Sequence, residues 1–233
     1  MRCIAHRGAS GYAPESTRAA FERAITLGAD ATESDVQLSA DGALVLFHDE
    51  FVDRTSDGRG PLADHTLAEL RALDIGGWFG AQFVGERILT VDEALDDYLP
   101  RIPFALELKD PRVAAPLARL LQARGVGDRV TIRASSWGAL LDFRAIYPDL
   151  ACGLLTVTLD EEVIARSVRR GLAEIYPQLE RLTARRVGLA HDAGLRVFGT
   201  SLGRRDLLER LFETGADGAS CNWPDWITGM RAG

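Results

Sequence analysis

Apolar residues follow two alternating spacings along the chain, and glycines separate the segments that carry them. Short apolar runs at residues 2–5 and 104–108 have the composition of buried strands, and the run at residues 172–175 gives the weakest signal of this kind. Between such runs, apolar residues recur at helical spacing, as at residues 179–193, and helices end at glycines such as Gly28. The repeated order of strand, helix and glycine predicts a parallel α/β fold.

The number of these repeats favours one architecture. About eight parallel strands, with one antiparallel return strand at residues 43–47, suit a TIM (β/α)₈ barrel. An open doubly wound sheet is compatible with the same pattern. Residues 50–90 interrupt it, because they are rich in glycine and aromatic residues and hold one predicted helix at residues 67–73. We therefore expect a single domain over residues 1–233, with residues 50–90 as a small insertion subdomain.

A predicted β-hairpin at residues 31–49 gathers the first group of chemically active side chains. Asp41-Gly42 between alternating apolar residues is a strong hairpin signal, and a two-residue loop there would place Asp35 opposite His48. Glu33 and Asp35 share one face, because alternate residues of a strand point the same way. A shift of one residue in register would turn His48 to the other face.

Charged side chains stand where several predicted strands end, which is where TIM barrels place their chemistry. Glu33, Asp35 and Glu107 offer only oxygen ligands, which suit Mg²⁺ or Ca²⁺ better than a softer metal. Three carboxylates, one divalent cation and the side chains of Arg7 and Lys109 sum to a single positive charge. A phosphodiester, which carries one negative charge, would neutralise that sum, and Arg7 and Lys109 are the predicted phosphate contacts.

Two of the four histidines are predicted to transfer protons. His6 and His48 follow strands beside the carboxylates, so one could accept a proton from the attacking hydroxyl while the other donates one to the leaving alkoxide. His65 lies in the insertion and His191 in a predicted helix, and both are expected to be structural.

Composition narrows the class of protein. The chain has 233 residues, 46% of them hydrophobic, and a net charge of −7, which argues against broad nucleic-acid binding. Three widely spaced cysteines favour a reducing compartment. No signal-peptide or membrane-spanning pattern is evident, so a cytoplasmic protein without a membrane span is expected.

Several short motifs stand at characteristic positions, mainly in the first half of the chain. They are His6-Arg7-Gly8, Ala13-Pro14-Glu15, Glu33-Ser34-Asp35-Val36, Asp41-Gly42, His48-Asp49, Asp53-Arg54-Thr55, Trp78-Phe79, Gly85-Glu86-Arg87 and Glu107-Leu108-Lys109. Together they resemble the glycerophosphodiester phosphodiesterase family. The similarity covers essentially the whole chain, and the combined spacing is highly specific.

This resemblance implies a TIM barrel that hydrolyses a small-molecule glycerophosphodiester to an alcohol and sn-glycerol 3-phosphate with a divalent cation. It implies that His6 and His48 are the acid–base pair. The metal ligands would be Glu33, Asp35 and Glu107, and the phosphate contacts Arg7 and Lys109. The family is similar to phosphatidylinositol-specific phospholipase C, which suggests initial attack by the substrate's own 2-hydroxyl and a cyclic phosphate that water then opens.

The chain departs from the family pattern mainly in its second half. Ser16 stands where the family usually has Asn, and Tyr176 replaces a common His. Phe198-Gly199-Thr200 replaces Trp-Thr, and Cys221-Asn222 replaces Thr-Asp. These positions are expected to line the end of the barrel that holds the glycerol or the alcohol, and so to affect the choice of substrate.

Two other functions remain open at the level of sequence. One is a phosphodiesterase of phospholipase D type that acts on lysophospholipids, whose acyl chain could meet Phe79, Phe83 and Val84 of the insertion. The other is a non-catalytic barrel that binds phosphate. The leaving head group, the choice between Mg²⁺ and Ca²⁺, and the oligomeric state are not determined by the sequence.

Overall fold

The protein forms a closed parallel barrel in a computed structural model that describes residues 1–200 and 203–231. Within these residues the strands are β1 Arg2–Ala5, β2 Ala31–Leu38, β3 Leu44–Leu46, β4 Phe104–Leu108, β5 Val130–Ala134, β6 Cys152–Thr156, β7 Glu174–Pro177, β8 Arg196–Thr200 and β9 Gly218–Cys221. Strand β1 pairs in parallel with both β2 and β9, which closes the sheet into a ring of eight parallel strands. Strand β3 runs antiparallel to β2 outside this ring.

Helices surround the barrel and follow most of its strands. They are α1 Arg18–Thr26, α2 Leu67–Ala72, α3 Val91–Tyr98, α4 Ala114–Arg124, α5 Trp137–Ile146, α6 Glu161–Arg169, α7 Ala184–Asp192, α8 Arg205–Thr214 and α9 Pro224–Met230. Their apolar faces pack against the outer face of the sheet. The TIM barrel predicted from the sequence is therefore confirmed, and the open doubly wound sheet is excluded.

The prediction of a two-residue hairpin loop is wrong, because the two strands pair one residue away from the predicted register. Strand β2 pairs Leu38 with Leu44 and Val36 with Leu46, which leaves residues 39–43 as the loop. Ser39 explains the wider turn, because its hydroxyl donates to Asp41 at 2.6 Å and accepts the backbone N–H of Ala43 at 2.8 Å. A side-chain hydrogen bond of this kind competes with the tighter turn.

The register changes the partner of Asp35. The backbone N–H of Phe47 donates to the carbonyl of Asp35 at 3.0 Å, so Phe47 occupies the place that the sequence assigned to His48. His48 follows the end of β3 and is positioned by other contacts, described below.

Two boundaries in the second half also differ from the prediction. The helix expected over residues 179–193 divides into a 3₁₀ turn at Leu179–Arg181 and helix α7, because the Thr183 hydroxyl caps α7 by accepting the backbone N–H of Arg186. The strand expected over residues 172–175 begins two residues later, as β7.

The barrel interior has an apolar and a polar half. A buried cluster fills the half near the amino ends of the strands, and its members are Ile4, Ala31, Ala105, Tyr176 and Phe198. Charged side chains occupy the half near the carboxyl ends, as their positions on β2, β4 and β5 require. No helix in the described part of the chain combines the length and apolarity that crossing a bilayer would need.

Residues 50–90 fold over one side of the barrel mouth. Their apolar side chains pack on Val45 of β3 and on Phe47, which follows β3. The buried residues of the segment in this cluster are Val52, Leu62, Leu70, Ile75 and Ile88. Helix α2 begins in a capping box, in which Thr66 and Glu69 exchange hydrogen bonds. The segment thus forms one wall of the barrel mouth, beside the carboxyl ends of β2 and β4.

Candidate active site

Three carboxylates meet at the carboxyl end of the barrel. Glu33 and Asp35 are two residues apart on β2, so both point into the barrel, and parallel pairing places Asp35 beside Glu107 of β4. One oxygen from each residue lies within 4.8 Å of the other two. Glu33 and Asp35 are buried and Glu107 is partly buried. The structure brings together the three residues that the sequence predicts as metal ligands.

The chemistry of this carboxylate cluster fits a hard divalent cation. All of its donors are oxygens, which Mg²⁺ and Ca²⁺ prefer. Both carboxylate oxygens of Asp35 and Oε1 of Glu33 are buried and make no hydrogen bond of good geometry within the described part of the chain. Each of these oxygens lies within 3.1 Å of an Arg or Lys nitrogen, so its charge is partly compensated, and its remaining lone pair could bind a metal ion. Glu33, Asp35 and Glu107 are therefore the residues that would hold it.

The two predicted phosphate contacts border the carboxylates. Nε of Arg7 lies 3.1 Å from Oδ2 of Asp35. Nζ of Lys109 lies 3.1 Å from Oδ1 of Asp35 and 2.6 Å from Oε1 of Glu107. Burial alone would lower the pKa of Lys109, but Asp35 and Glu107 outweigh it and the pKa is raised. Lys109 is therefore positively charged at neutral pH.

The loop after β1 has an unusual backbone that serves this site. Arg7 has φ of 54°, in the left-handed region that costs about 1–3 kcal/mol for a residue with a side chain. This conformation lets its backbone N–H donate to Oε2 of Glu33 at 3.0 Å. Gly8 is required next, because a Cβ there would lie 2.6 Å from Cβ of Ala20.

A network of ion pairs connects Arg7 to His48. Nη1 of Arg7 donates to Oε1 of Glu15 at 3.0 Å, and the Arg54 guanidinium bridges Glu15 at 2.7 Å and Asp49 at 2.5 Å. Burial would raise the pKa of Glu15, but the contacts with Arg54 and Arg7 lower it. Glu15 is therefore a negatively charged support for Arg7.

Asp49 orients His48. Nδ1 of His48 lies 2.5 Å from Oδ1 of Asp49. Burial would raise the pKa of Asp49, but hydrogen bonds from Arg54 and His48 lower it to about 2. A carboxylate accepts only, so Nδ1 of His48 is the donor and Nε2 remains for other contacts. His48 and Lys109 share a cavity of about 750 Å³ with Phe51, at the mouth of the barrel.

His6 is held by the last strand of the barrel. Its Nδ1 lies 2.7 Å from Oδ1 of Asn222, and its Nε2 lies 3.8 Å from Oε2 of Glu33. Because an amide oxygen accepts only, Nδ1 carries the proton and Nε2 has a free lone pair. Burial, together with the charge of Arg7, lowers the pKa of His6 to about 3. The ring is therefore neutral at neutral pH.

The remaining histidines lie outside this site. Nε2 of His65 contacts the carbonyl of Arg59 at 3.0 Å, and Nε2 of His191 contacts Oδ2 of Asp217 at 2.9 Å. Each contact ties neighbouring segments of the fold, so these two histidines are placed as the sequence predicts.

Sequence reasoning missed one residue of the cluster, Arg133. It projects from β5 into the barrel, where Nη2 lies 2.7 Å from Oε1 of Glu33 and Nε lies 3.6 Å from Oε2 of Glu107. The charge sum predicted from the sequence is therefore too low by one. The available signal was a charged residue near the end of a mostly apolar strand, the one that follows the strand of Glu107.

Most of the positions that depart from the family pattern do not line the site, contrary to expectation. Tyr176 and Phe198 stack in the barrel interior with ring centroids 5.5 Å apart. Ser16 is buried against Ser34, and the Cys221 thiol is buried. Large aromatic side chains filled the interior layer instead of reaching the mouth. Two positions do line a second cavity there, of about 760 Å³, and they are Thr200 and Asn222.

Comparison with known proteins gives a consistent result. Residues 6–225 match the model of the glycerophosphoryl diester phosphodiesterase family. The chain is 34% identical to a putative glycerophosphodiester phosphodiesterase, YhdW, of Bacillus subtilis, with 97% of this chain and 96% of that protein covered. It is 35% identical to a glycerophosphodiester phosphodiesterase of Caldanaerobacter subterraneus, with the same coverage of both chains.

A solved structure agrees with these relatives. The fold is similar to that of an Oleispira antarctica phosphodiesterase in complex with the product sn-glycerol-3-phosphate, with a TM-score of 0.93 and 28% identity. The match covers 100% of this chain and 97% of that one. The chain belongs to the glycerophosphoryl diester phosphodiesterase family, a family of hydrolases.

Proposed function

We propose that the protein hydrolyses glycerophosphodiesters to an alcohol and sn-glycerol 3-phosphate. The observation that carries this proposal is the meeting of three carboxylates within 4.8 Å, with Arg7 and Lys109 in contact with them. A phosphodiester needs both a cation site and fixed positive groups, and this cluster offers both. The product bound in the similar Oleispira structure supports the same substrate class.

Arg7 and Lys109 would hold the phosphodiester at the barrel mouth. Their side chains are 13% and 26% exposed, so each reaches solvent while contacting Asp35. The Arg7 guanidinium can donate two parallel hydrogen bonds to a phosphate, and Lys109 supplies a compact charge. A divalent cation held by Glu33, Asp35 and Glu107 would polarise the phosphoryl oxygens.

His6 would accept the proton of the attacking hydroxyl. Its Nε2 has a free lone pair and lies beside Glu33, at the inner edge of the cluster. The hydrogen bond to Asn222 fixes the tautomer that this role requires. Because the ring is neutral before reaction, it is in the correct protonation state to receive a proton.

His48 would donate a proton to the leaving alkoxide. Asp49 stabilises the protonated ring, as a carboxylate beside an imidazole does in other acid–base catalysts. The cavity that His48 shares with Lys109 has room for the alcohol, and the exposed ring of Phe51 forms part of its wall. The leaving group would therefore depart toward residues 50–63.

Release of sn-glycerol 3-phosphate tests this proposal. Glycerophosphocholine and glycerophosphoethanolamine are incubated with chelator-treated protein, and Mg²⁺ or Ca²⁺ is then restored. We expect release only with a divalent cation, and a loss of about 10²-fold or more in His6→Ala and His48→Ala. His65→Ala is the matched control, since it removes a histidine outside the site.

A different result would contradict each component of the proposal. Release that persists in chelator would remove the cation from the proposal, and full activity of His6→Ala would remove its role as base. Lysophosphatidylcholine is the comparison substrate for the phospholipase D alternative. Faster turnover of that lipid than of glycerophosphocholine would replace the proposed substrate.

A further inference from the structure

The carboxylate cluster contacts a third cation from below, inside the barrel. Among residues whose side chains are described, Arg133 is the one Lys or Arg that is buried, with 2% of its surface exposed. It lies on β5 in register with Glu107 on β4, so its side chain enters the same interior layer. An arginine at this depth is costly unless its charge is compensated.

The compensation comes from the candidate metal ligands. Arg133 contacts Oε1 of Glu33 at 2.7 Å and Oε2 of Glu107 at 3.6 Å. A guanidinium stays protonated in folded proteins, because the ordinary pKa of arginine lies far above neutral pH. Arg133 therefore stays protonated, and its charge is shared between two carboxylates.

Arg133 is fixed in this position by its other neighbours. Nη1 donates to the Ser220 hydroxyl on β9 at 3.1 Å, and the guanidinium lies 5.4 Å from the centroid of the Tyr176 ring. Gly153 makes room for that ring, because a Cβ there would lie 2.5 Å from Cε2 of Tyr176. The hydroxyl of Tyr176 is bonded in turn to the buried carboxylate of Glu174.

The three positively charged side chains of the cluster differ in their freedom to leave the carboxylates. Arg7 and Lys109 reach solvent at the mouth, so both can turn from the carboxylates to a phosphate. Arg133 has no such exit and remains beside Glu33 and Glu107 at every stage. Three carboxylates and three cations sum to zero, so the cluster is electrically balanced by the chain's own residues.

We propose that Arg133 is a built-in cation of the active site, which neutralises Glu33 and Glu107 from inside the barrel and weakens their binding of a divalent cation. This inference rests on the cation site of the proposed function. Arg133 is a positioning residue, since it acts on the carboxylates and not on the substrate. Its charge keeps the cluster assembled before a cation enters and repels that cation once it is bound.

Binding of Mg²⁺ without substrate tests this role. The dissociation constant is measured by calorimetry, and the stabilisation by the shift in thermal midpoint, for the wild type and Arg133→Met. Without Mg²⁺, we expect Arg133→Met to unfold at a lower temperature than the wild type. Mg²⁺ should raise its thermal midpoint by more than it raises that of the wild type, and the variant should bind Mg²⁺ at least about tenfold more tightly. Arg133→Lys keeps the charge and should bind Mg²⁺ within a few-fold of the wild type.

Arg196→Met is the matched control. Arg196 pairs with the buried carboxylate of Glu174 at 2.5 Å, near the amino ends of the strands. The same substitution there also removes a cation from a buried carboxylate, so stability should fall. Arg196 does not contact the carboxylate cluster and reaches Arg133 only through Glu174 and Tyr176, so its loss should change the affinity for Mg²⁺ much less than the loss of Arg133 does.

The outcomes separate the two proposals. Binding of Mg²⁺ by the wild type, with equal or weaker binding by Arg133→Met, would overturn the role of Arg133 and leave the cation site standing. Binding by Arg133→Met alone would support that role, and binding by neither would reject both. If Arg133→Met folds only with Mg²⁺, the proposal is supported. If it never folds, a tenfold change in Arg133→Lys would overturn the charge argument.

Discussion

Oδ1 of Asn222 lies 2.7 Å from Nδ1 of His6, a contact between the residue that follows β9 and the residue that follows β1. An amide oxygen in this place fixes which ring nitrogen carries the proton. Asn222→Ala should therefore lower kcat by about 10²-fold, because the wrong tautomer presents a proton where a lone pair is needed. Steady-state kinetics of glycerophosphocholine hydrolysis measure the effect. Asn222→Asp keeps the acceptor oxygen and should retain most of the activity, and equal losses in both variants would contradict this role.

The contact between His48 and Asp49 leads to a second prediction. Asp49→Asn replaces the charged acceptor at Nδ1, so the protonated ring loses its stabilising partner. We expect kcat to fall by about 10²-fold with a smaller change in KM. Glu50→Gln is the matched control, because Glu50 lines the same cavity and forms no hydrogen bond or ion pair with His48. A loss in the control equal to that in Asp49→Asn would attribute the effect to cavity charge instead.

Asp49 also predicts a dependence of stability on pH. Its pKa falls from the ordinary 3.8 to about 2 in the folded protein. A lowered carboxyl pKa contributes stability above the unfolded value, and this contribution is lost as the pH falls through the folded value. The free energy of unfolding of the wild type should exceed that of Asp49→Asn by a constant amount above about pH 5 and by less near pH 3. Urea unfolding at each pH measures the difference, and a difference that grows toward low pH would contradict the prediction.

Replacing each of two glycines by alanine should change the stability of the fold in opposite directions. Gly153→Ala places a Cβ 2.5 Å from the Tyr176 ring and should cost about 1–3 kcal/mol or more. Gly188 lies within α7 with nothing within 4 Å of an added Cβ, so Gly188→Ala should stabilise by about 0.5–1 kcal/mol. Chemical unfolding of both variants gives the two signs. A neutral Gly153→Ala would mean that the ring of Tyr176 can move aside.

The cysteines should be unreactive in the folded protein. All three are buried, and burial raises the pKa of Cys3 and of Cys152 to about 12 and that of Cys221 to about 11. The thiolate is the reactive form, so a thiol reagent at about pH 8 should modify none of them quickly. Unfolding in guanidinium should release three reactive thiols. Rapid modification of the native protein would show that one of these sites opens.

The sequence predicted the barrel and the meeting of the three carboxylates because both follow from periodicity. Alternation along β2 places Glu33 and Asp35 on one face, whatever the details of the turn. The turn itself was mispredicted, since the decisive hydrogen bonds of the Ser39 hydroxyl compete with the pattern at Asp41-Gly42. His48 is nevertheless near the site, because Asp49 and Arg54 orient it after the strand has ended.

The interior of the barrel was less accessible to sequence reasoning. Whether Tyr176 and Phe198 reach the mouth or fill the interior depends on the stagger of neighbouring strands, which local sequence does not encode. The position of Arg133 has the same origin, since its partners come from β2, β4 and β9. Contacts between strands that are far apart in the sequence form only when the barrel closes, so they cannot be predicted from each strand separately.

Closure of the ring also sets the order in which the molecule can become functional. His6 and Asn222 are 216 positions apart, and β1 has no partner on one side until β9 is in place. During synthesis, most of the chain must leave the ribosome before these two strands can meet, and such distant pairings form slowly. Partly made chains would carry the carboxylates of β2 and β4 but not an oriented His6. His6, the earliest-made residue of the candidate site, is thus the last to be placed, and we expect activity to begin only when the ring has closed.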